Sequence, residues 1–272
     1  MTCWTRILIG NSLMALLTGI SLTATAQRSI FLAAGQSNAV GKGDSSLSVH
    51  PPAQTAWEYK WQQDALVPLQ DPVGEDYQRL QQAATGSLWP AFAAAYHQRT
   101  GDTVIIVPAA RGGASCHAKA RLGDMDTWDT TGHLFSAAVA KTQAAIRLSN
   151  GVVKGIIWVQ GERDANAVNS GVLDVNEYSD ALCRLIRRFR NALGAPIPFY
   201  IVLTGNYKGH PEKGFDAVRK VQTELAQTIP GVFIVYRGTP DFFGKHWMTD
   251  DIHYNQHGLN HIGATIAEAM KK

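Results

Sequence analysis

The chain has 272 residues, 45% hydrophobic and 17% charged, with a formal net charge of +3. That balance excludes a disordered or fibrous chain and leaves enough apolar residues for a large core. So small a basic excess gives no electrostatic reason to expect a nucleic-acid partner.

The first residues read MTCWTRILIGNSLMALLTGISLTATAQR. Arg6 precedes an apolar run to Leu22 and the triplet Ala24-Thr25-Ala26, the layout of a secretory signal peptide cleaved after Ala26. An uncleaved anchor is the alternative, but Asn11 and Ser12 interrupt a run already short of the about 20 residues a span needs. Cys3 precedes the run and gives no lipid-anchor signal. Residues 1–26 are therefore expected to direct export, to the periplasm or the medium. Residues 27–272 are expected to form a single domain with no stable membrane insertion after cleavage, monomeric by default.

SIFLAAG is a short apolar strand ending at Gly35. Residues 42–86 are turn-rich and weakly periodic, and a segment that long is expected to wrap a cleft. Within it Trp57, Tyr59 and Trp61 are spaced by two, as expected of a small cross-strand pair packing on the body rather than of a sugar-stacking surface. A helix follows in SLWPAFAAAYHQRTG, closed by Gly101, then a β-branched strand from Val104 to Val107. HLFSAAVAKTQAAIRLSNG reads as a helix and VVKGIIWVQGERDA as the next strand. VNEYSDALCRLIRRFRNALG and PFYIVLTGNY repeat the pair, as do FDAVRKVQTELAQTIPG and GVFIVYR, before the last helix, HGLNHIGATIAEAMKK. In RLIRRFR the arginines read as the solvated face of an amphipathic helix. Cys116 and Cys183 allow one disulfide, two separate thiols being the simpler expectation.

Continuously apolar strands alternating with helices predict a three-layer α/β/α sandwich with a mainly parallel central sheet. Such sheets place their chemistry outside the C-terminal strand ends. Gln36-Ser37-Asn38, Arg111-Gly112-Gly113 and Gln160-Gly161-Glu162 all fall there.

A serine hydroxyl becomes a nucleophile when a base takes its proton. His253, three residues after Asp250, is the histidine best placed to be held by a carboxylate, giving a Ser37–His253–Asp250 triad. Two other readings stand at this level. Asp250 could simply cap a turn, and His246, His253, His257 and His261 with Asp250 and Asp251 could hold a metal. For an oxyanion, the N–H groups of Ser37 and of Gly112 or Gly113 and the amide of Gln160 are candidate donors, although Gly-Gly also suits a plain tight turn. The G-x-S-x-G elbow, the dinucleotide fingerprint and the P-loop are all unmatched by GQSNAVGKGDSS.

Together GQSNAVG at 35–41, ARGGAS at 110–115, WVQGERD at 158–164 and DDIHYNQHG at 250–258 resemble the SGNH hydrolases, whose fold is flavodoxin-like. The resemblance is to their carbohydrate-esterase branch, the sialate O-acetylesterase and acetylxylan-esterase-like proteins, and it covers the whole mature chain. It implies Ser37 as nucleophile, His253 as general base and acid, and Asp250 as its orienter, although Asp251 fills a position where the family often has glycine. It implies Ser37, Gly112 and Gln160 as oxyanion donors, Gly113 being possible, with Gln36, Asn38, Glu162 and Asp164 as supporting residues. No cofactor or metal is implied. The implied function is a secreted serine esterase acting on O-acetylated sugar, either acetylated xylan-type polysaccharide or O-acetyl sialic acid. A small-ester esterase with the same triad and a catalytically silent carbohydrate-binding protein remain alternatives.

Overall fold

The computed structural model describes residues 27–194 and 196–270. The expected signal peptide, 1–26, lies outside the described residues. Seven strands form one sheet: β1 (Arg28–Gly35), β2 (Ala56–Lys60), β3 (Ala65–Pro68), β4 (Thr103–Pro108), β5 (Val152–Val159), β6 (Phe199–Val202) and β7 (Val232–Tyr236). Their order is β3-β2-β4-β1-β5-β6-β7, parallel throughout except for the antiparallel β2–β3 hairpin. Omitting that hairpin leaves the doubly wound, flavodoxin-like order, in which the chain first builds outward on one side of β1 and then on the other.

Helices cover both faces because the central strands β1, β4 and β5 are apolar on both. Along β1, Ile30, Leu32 and Ala34 enter one core while Phe31 and Ala33 enter the other. The first core is roofed by α3 (Leu134–Ser149), α4 (Glu162–Asn169), α5 (Val175–Leu193) and α6 (Glu212–Thr228). The second is roofed by α2 (Trp89–Thr100) and α7 (Gln256–Ala269), which pack on each other. The one-turn α1 (Ser37–Val40) completes the set.

Two local expectations, on β5 and α5, need correction, whereas the strand pair foreseen within 42–86 is present: β2 and β3 extend the sheet from within it. Tyr59 is buried there, its hydroxyl bonded to Asp64, while Trp57 and Trp61 pack half-buried against the core. VVKGIIWVQGERDA is strand only to Val159, and Glu162 starts α4. In α5, Arg184 and Arg187 are solvated, but Arg188 donates to the Trp128 carbonyl and Arg190 to those of Ile197 and Pro230. Among the described residues Cys116 and Cys183 are free thiols, and burial pushes the Cys116 thiol well above its ordinary pKa. Among the described residues no helix is long and apolar enough to cross a membrane.

Candidate active site

Strand order explains why three distant motifs meet: β4, β1 and β5 are neighbours, and their C-terminal ends carry them. Gln36 N–H donates to Val159 O at 3.0 Å and Arg111 N–H to Gly35 O at 3.4 Å, joining the three exits. Gly35 has φ +147°, and a Cβ there would lie 2.1 Å from the Val159 carbonyl oxygen, so the turn into α1 requires glycine. Indoles from opposite layers pin this turn. Trp128 Nε1 donates to Gly35 O at 3.1 Å and Trp89 Nε1 to Ala39 O at 2.8 Å. Ser37, first in α1 and only 6% exposed, therefore has a backbone N–H with no acceptor inside the helix.

The histidine comes from a small hairpin that precedes α7. Met248 bridges Tyr254, and Thr249 N–H donates to His253 O at 2.8 Å. At its tip Asp250 Oδ1 accepts the N–H groups of Ile252 (2.9 Å) and His253 (2.8 Å), while Oδ2 lies 2.7 Å from His253 Nδ1. Asp250 thus does cap a turn and also holds the ring, making Nδ1 the protonated nitrogen and leaving Nε2 to accept. Asp251 instead offers its backbone carbonyl to Lys208 N–H. Burial works to raise the Asp250 pKa, but the His253 ring and the two backbone donors outweigh it and hold the carboxyl below its ordinary value. Of the other metal-ligand candidates, His261 packs on Tyr236 and Trp247 and His246 sits at a positive φ of 57°. No group of three or more His, Cys, Asp or Glu among the described residues is placed to hold a metal ion.

Asn38 fastens the two halves together. Its Nδ2 donates to Glu162 Oε1 at 2.8 Å and to Ile252 O at 3.2 Å, and its Oδ1 accepts Tyr254 N–H at 3.2 Å. The residue after Ser37 therefore grips both neighbours of His253. Glu162, buried and raised in pKa by that burial against the opposing pull of the Asn38 amide, anchors the clamp from α4. Asn38→Ala should lower kcat about 100-fold with little change in KM, because a loosened base is misplaced by about an ångström. Steady-state kinetics on a small acetyl ester check this, and a kcat within threefold of wild type would refute the clamp.

Ser37 and His253 open onto one cavity of about 590 Å³. Three loops wall it, contributing Asp76 and Gln81, Leu122 and Met125, and Tyr207. The model of a family described as "SASA: Carbohydrate esterase, sialic acid-specific acetylesterase" matches residues 27–272. The chain belongs to this carbohydrate esterase family.

No curated protein sequence matches the esterase. Among solved structures it is similar to a protein of Arabidopsis thaliana, with TM-score 0.69 and 23% identity over 89% of this chain and 96% of that one. It is similar to NanS, with TM-score 0.60 and 16% identity over 89% and 96% of the two chains. A carbohydrate acetylesterase from Xanthomonas citri follows at TM-score 0.52 and 21% identity, covering 88% of this chain and 55% of that one. At these identities the likeness is one of fold.

The remaining motif residues divide between wall and foundation. The ARGG loop is a turn closed by Ala114 N–H to Arg111 O at 3.3 Å, and Gly113, with φ +71°, is its left-handed residue. Gly112 faces the cavity, its N–H donating to Gln81 Oε1 at 2.8 Å. Gln160 is not on the cavity wall, contrary to its expected place. Its Nε2 donates to Asp164 Oδ2 at 2.5 Å and to Ala114 O at 3.3 Å, so both amide hydrogens serve the floor beneath the site. Gln36 is oriented the other way. Its Oε1 accepts the N–H groups of Gly161 (3.4 Å) and Arg163 (3.2 Å) at the start of α4, and it lines the cavity with no acceptor for its amide nitrogen among the described residues.

Asp164 is wholly buried and takes the N–H groups of Cys116 and His117 besides the Gln160 amide. Burial outweighs those donors and pushes its pKa up to about 6. A carboxyl raised on folding adds stability below its unfolded pKa and loses that contribution as pH rises through the folded value. Wild type should therefore lose ~3 kcal/mol from this group between pH 4 and pH 7. Asp164→Asn lacks the titration, so wild type minus variant in urea unfolding should favour wild type more at pH 4 than at pH 7; equal differences would contradict it.

Asp76 and Gln81 lie in the 42–86 segment expected to wrap a cleft, but no spacing marks them individually, nor Leu122 and Met125 in their loop or Asn166 in α4.

Proposed function

We propose that the esterase deacetylates O-acetylated sugars by two-step acyl transfer. Ser37 Oγ attacks the acetyl carbonyl carbon as His253 Nε2 takes its proton. The oxyanion is received by the N–H groups of Ser37 and Gly112, with the Gln36 amide in the place foreseen for Gln160. His253, its charge balanced by Asp250, then protonates the departing sugar oxygen as the C–O bond breaks. Water attacks acetyl-Ser37, losing its proton to His253, and acetate leaves.

The observation that supports this reading best is that Ser37 and His253, from opposite ends of the chain, face one cavity with Asp250 already on the far ring nitrogen. Lys42, Arg111 and Arg163 line it against the single carboxylate of Asp76, which favours an acetylated sugar that itself carries a carboxylate. O-acetyl sialic acid has that character; neutral acetylated xylan is the second choice. Residues 1–26, read as a signal peptide, would deliver the enzyme to where such glycans are exposed. Acetate release should be measured from O-acetyl sialic acid, acetylated xylan and a small non-sugar acetyl ester. The expected order of kcat/KM puts the acidic sugar first; hydrolysis confined to the small ester would contradict a sugar substrate.

A further inference from the structure

The Gly112 N–H, read above as an oxyanion donor, is already occupied. Gln81 Oε1 accepts it at 2.8 Å, and only the amide oxygen can do so, which fixes the orientation of the side chain. The contact is built by the fold. Gln81 N–H donates to Ala110 O at 3.0 Å, docking its backbone on the same loop its side chain returns to. The loop is closed by Ala83 N–H to Val73 O at 2.8 Å and anchored by the Glu75–Lys141 ion pair. Gln78 and Arg79 hold φ of 49° and 70°, left-handed values that bulky residues seldom adopt. A Cβ at position 112 would lie 2.9 Å from Gln81 Oε1, so glycine there admits the amide.

We propose that Gln81 is a positioning residue whose amide oxygen stands in for the substrate carbonyl on Gly112 and is displaced when the acyl group enters. The proposal rests on the reading of Gly112 as an oxyanion donor. Exchanging one neutral oxygen for another on the same N–H gains little, so Gln81 weakens binding of the ester in its ground state. A developing oxyanion makes a charge-assisted bond roughly twice as strong and takes the donor decisively. Gln81 thus keeps the donor ordered in the empty site and sets KM. Half-buried on the cavity wall, it has room to swing aside.

Gln81→Ala and the shape-preserving Gln81→Met test this in the intact protein, with circular dichroism confirming the fold. Both should lower KM for a small acetyl ester about threefold to tenfold with kcat unchanged. Methylboronic acid, which bonds to Ser37 Oγ as the proton passes to His253 and so forms a tetrahedral anion, should bind tighter by the same factor. A loop merely disturbed would lower kcat instead. The Gly112 amide NMR signal should move when methylboronic acid binds wild type. If it moves but KM and boronate affinity stay at wild-type values in both variants, the role of Gln81 is refuted. If boronate binds and the Gly112 signal stays still, Gly112 is not the donor and the underlying reading fails.

Discussion

Ser37→Ala should yield a folded protein whose esterase turnover is lower by about 10⁴-fold to 10⁶-fold. The side chain sits at the head of α1 in a turn held by backbone and indole contacts rather than by its own hydroxyl, so its loss should not disturb the fold. His253→Ala should fall similarly, and the double variant should be no worse than either, because the two act as one unit. Turnover with thermal melts on purified variants checks this. A Ser37→Ala enzyme within tenfold of wild type would remove the nucleophile assignment.

Lys141→Met should destabilise the protein by about 3–5 kcal/mol. Lys141 is fully buried in α3 with its ammonium 2.7 Å from Glu75, whose carboxylate also accepts the N–H groups of Trp61 and Gln62. Burial lowers the Lys141 pKa, with Glu75 opposing it. Removing the cation leaves Glu75 as an uncompensated buried charge, and the loop bearing Asp76 and Gln81 loses its anchor. Replacing Glu75 as well, in Lys141→Met/Glu75→Met, should recover much of the loss, since an apolar pair of similar volume escapes the desolvation penalty. Urea unfolding measures both. A single variant within about 1 kcal/mol of wild type would show the pair to be dispensable.

What the sequence disclosed and what it hid follow from how far each signal reaches along the chain. Short β-branched apolar runs such as Val104–Val107, alternating with amphipathic helices, read as strands covered on both faces, so the layers and parallel sheet were legible. The β2–β3 pair was legible only as a small cross-strand pair around Trp57 and Tyr59; that it extends the main sheet was not, because this depends on the register with β4, a contact between distant residues. Asp250 and His253 could be paired because a three-residue offset in a turn can bring the carboxylate to the ring, although capping and metal readings stood beside it. The places of Gln160 and Gln36 were hidden for a related reason: both follow strands, and only the packing of α4 decides that one amide turns down to Asp164 and the other lines the cavity. Asn38 was legible as a supporting residue but not as the clamp on Ile252 and Tyr254, since that role exists only once the last hairpin docks. Gln81 was legible only as part of a segment expected to wrap a cleft, not as an individual residue, because the course of its loop is set by a buried ion pair.

Covalent acyl transfer through Ser37 is tested most directly by trapping it. Wild-type enzyme mixed with a small acetyl ester, quenched in acid during turnover and digested, should give the peptide containing Ser37 with one acetyl group on that serine. The same treatment of Ser37→Ala should give none. Active turnover with Ser37 unmodified and the acetyl group on another side chain would contradict the account.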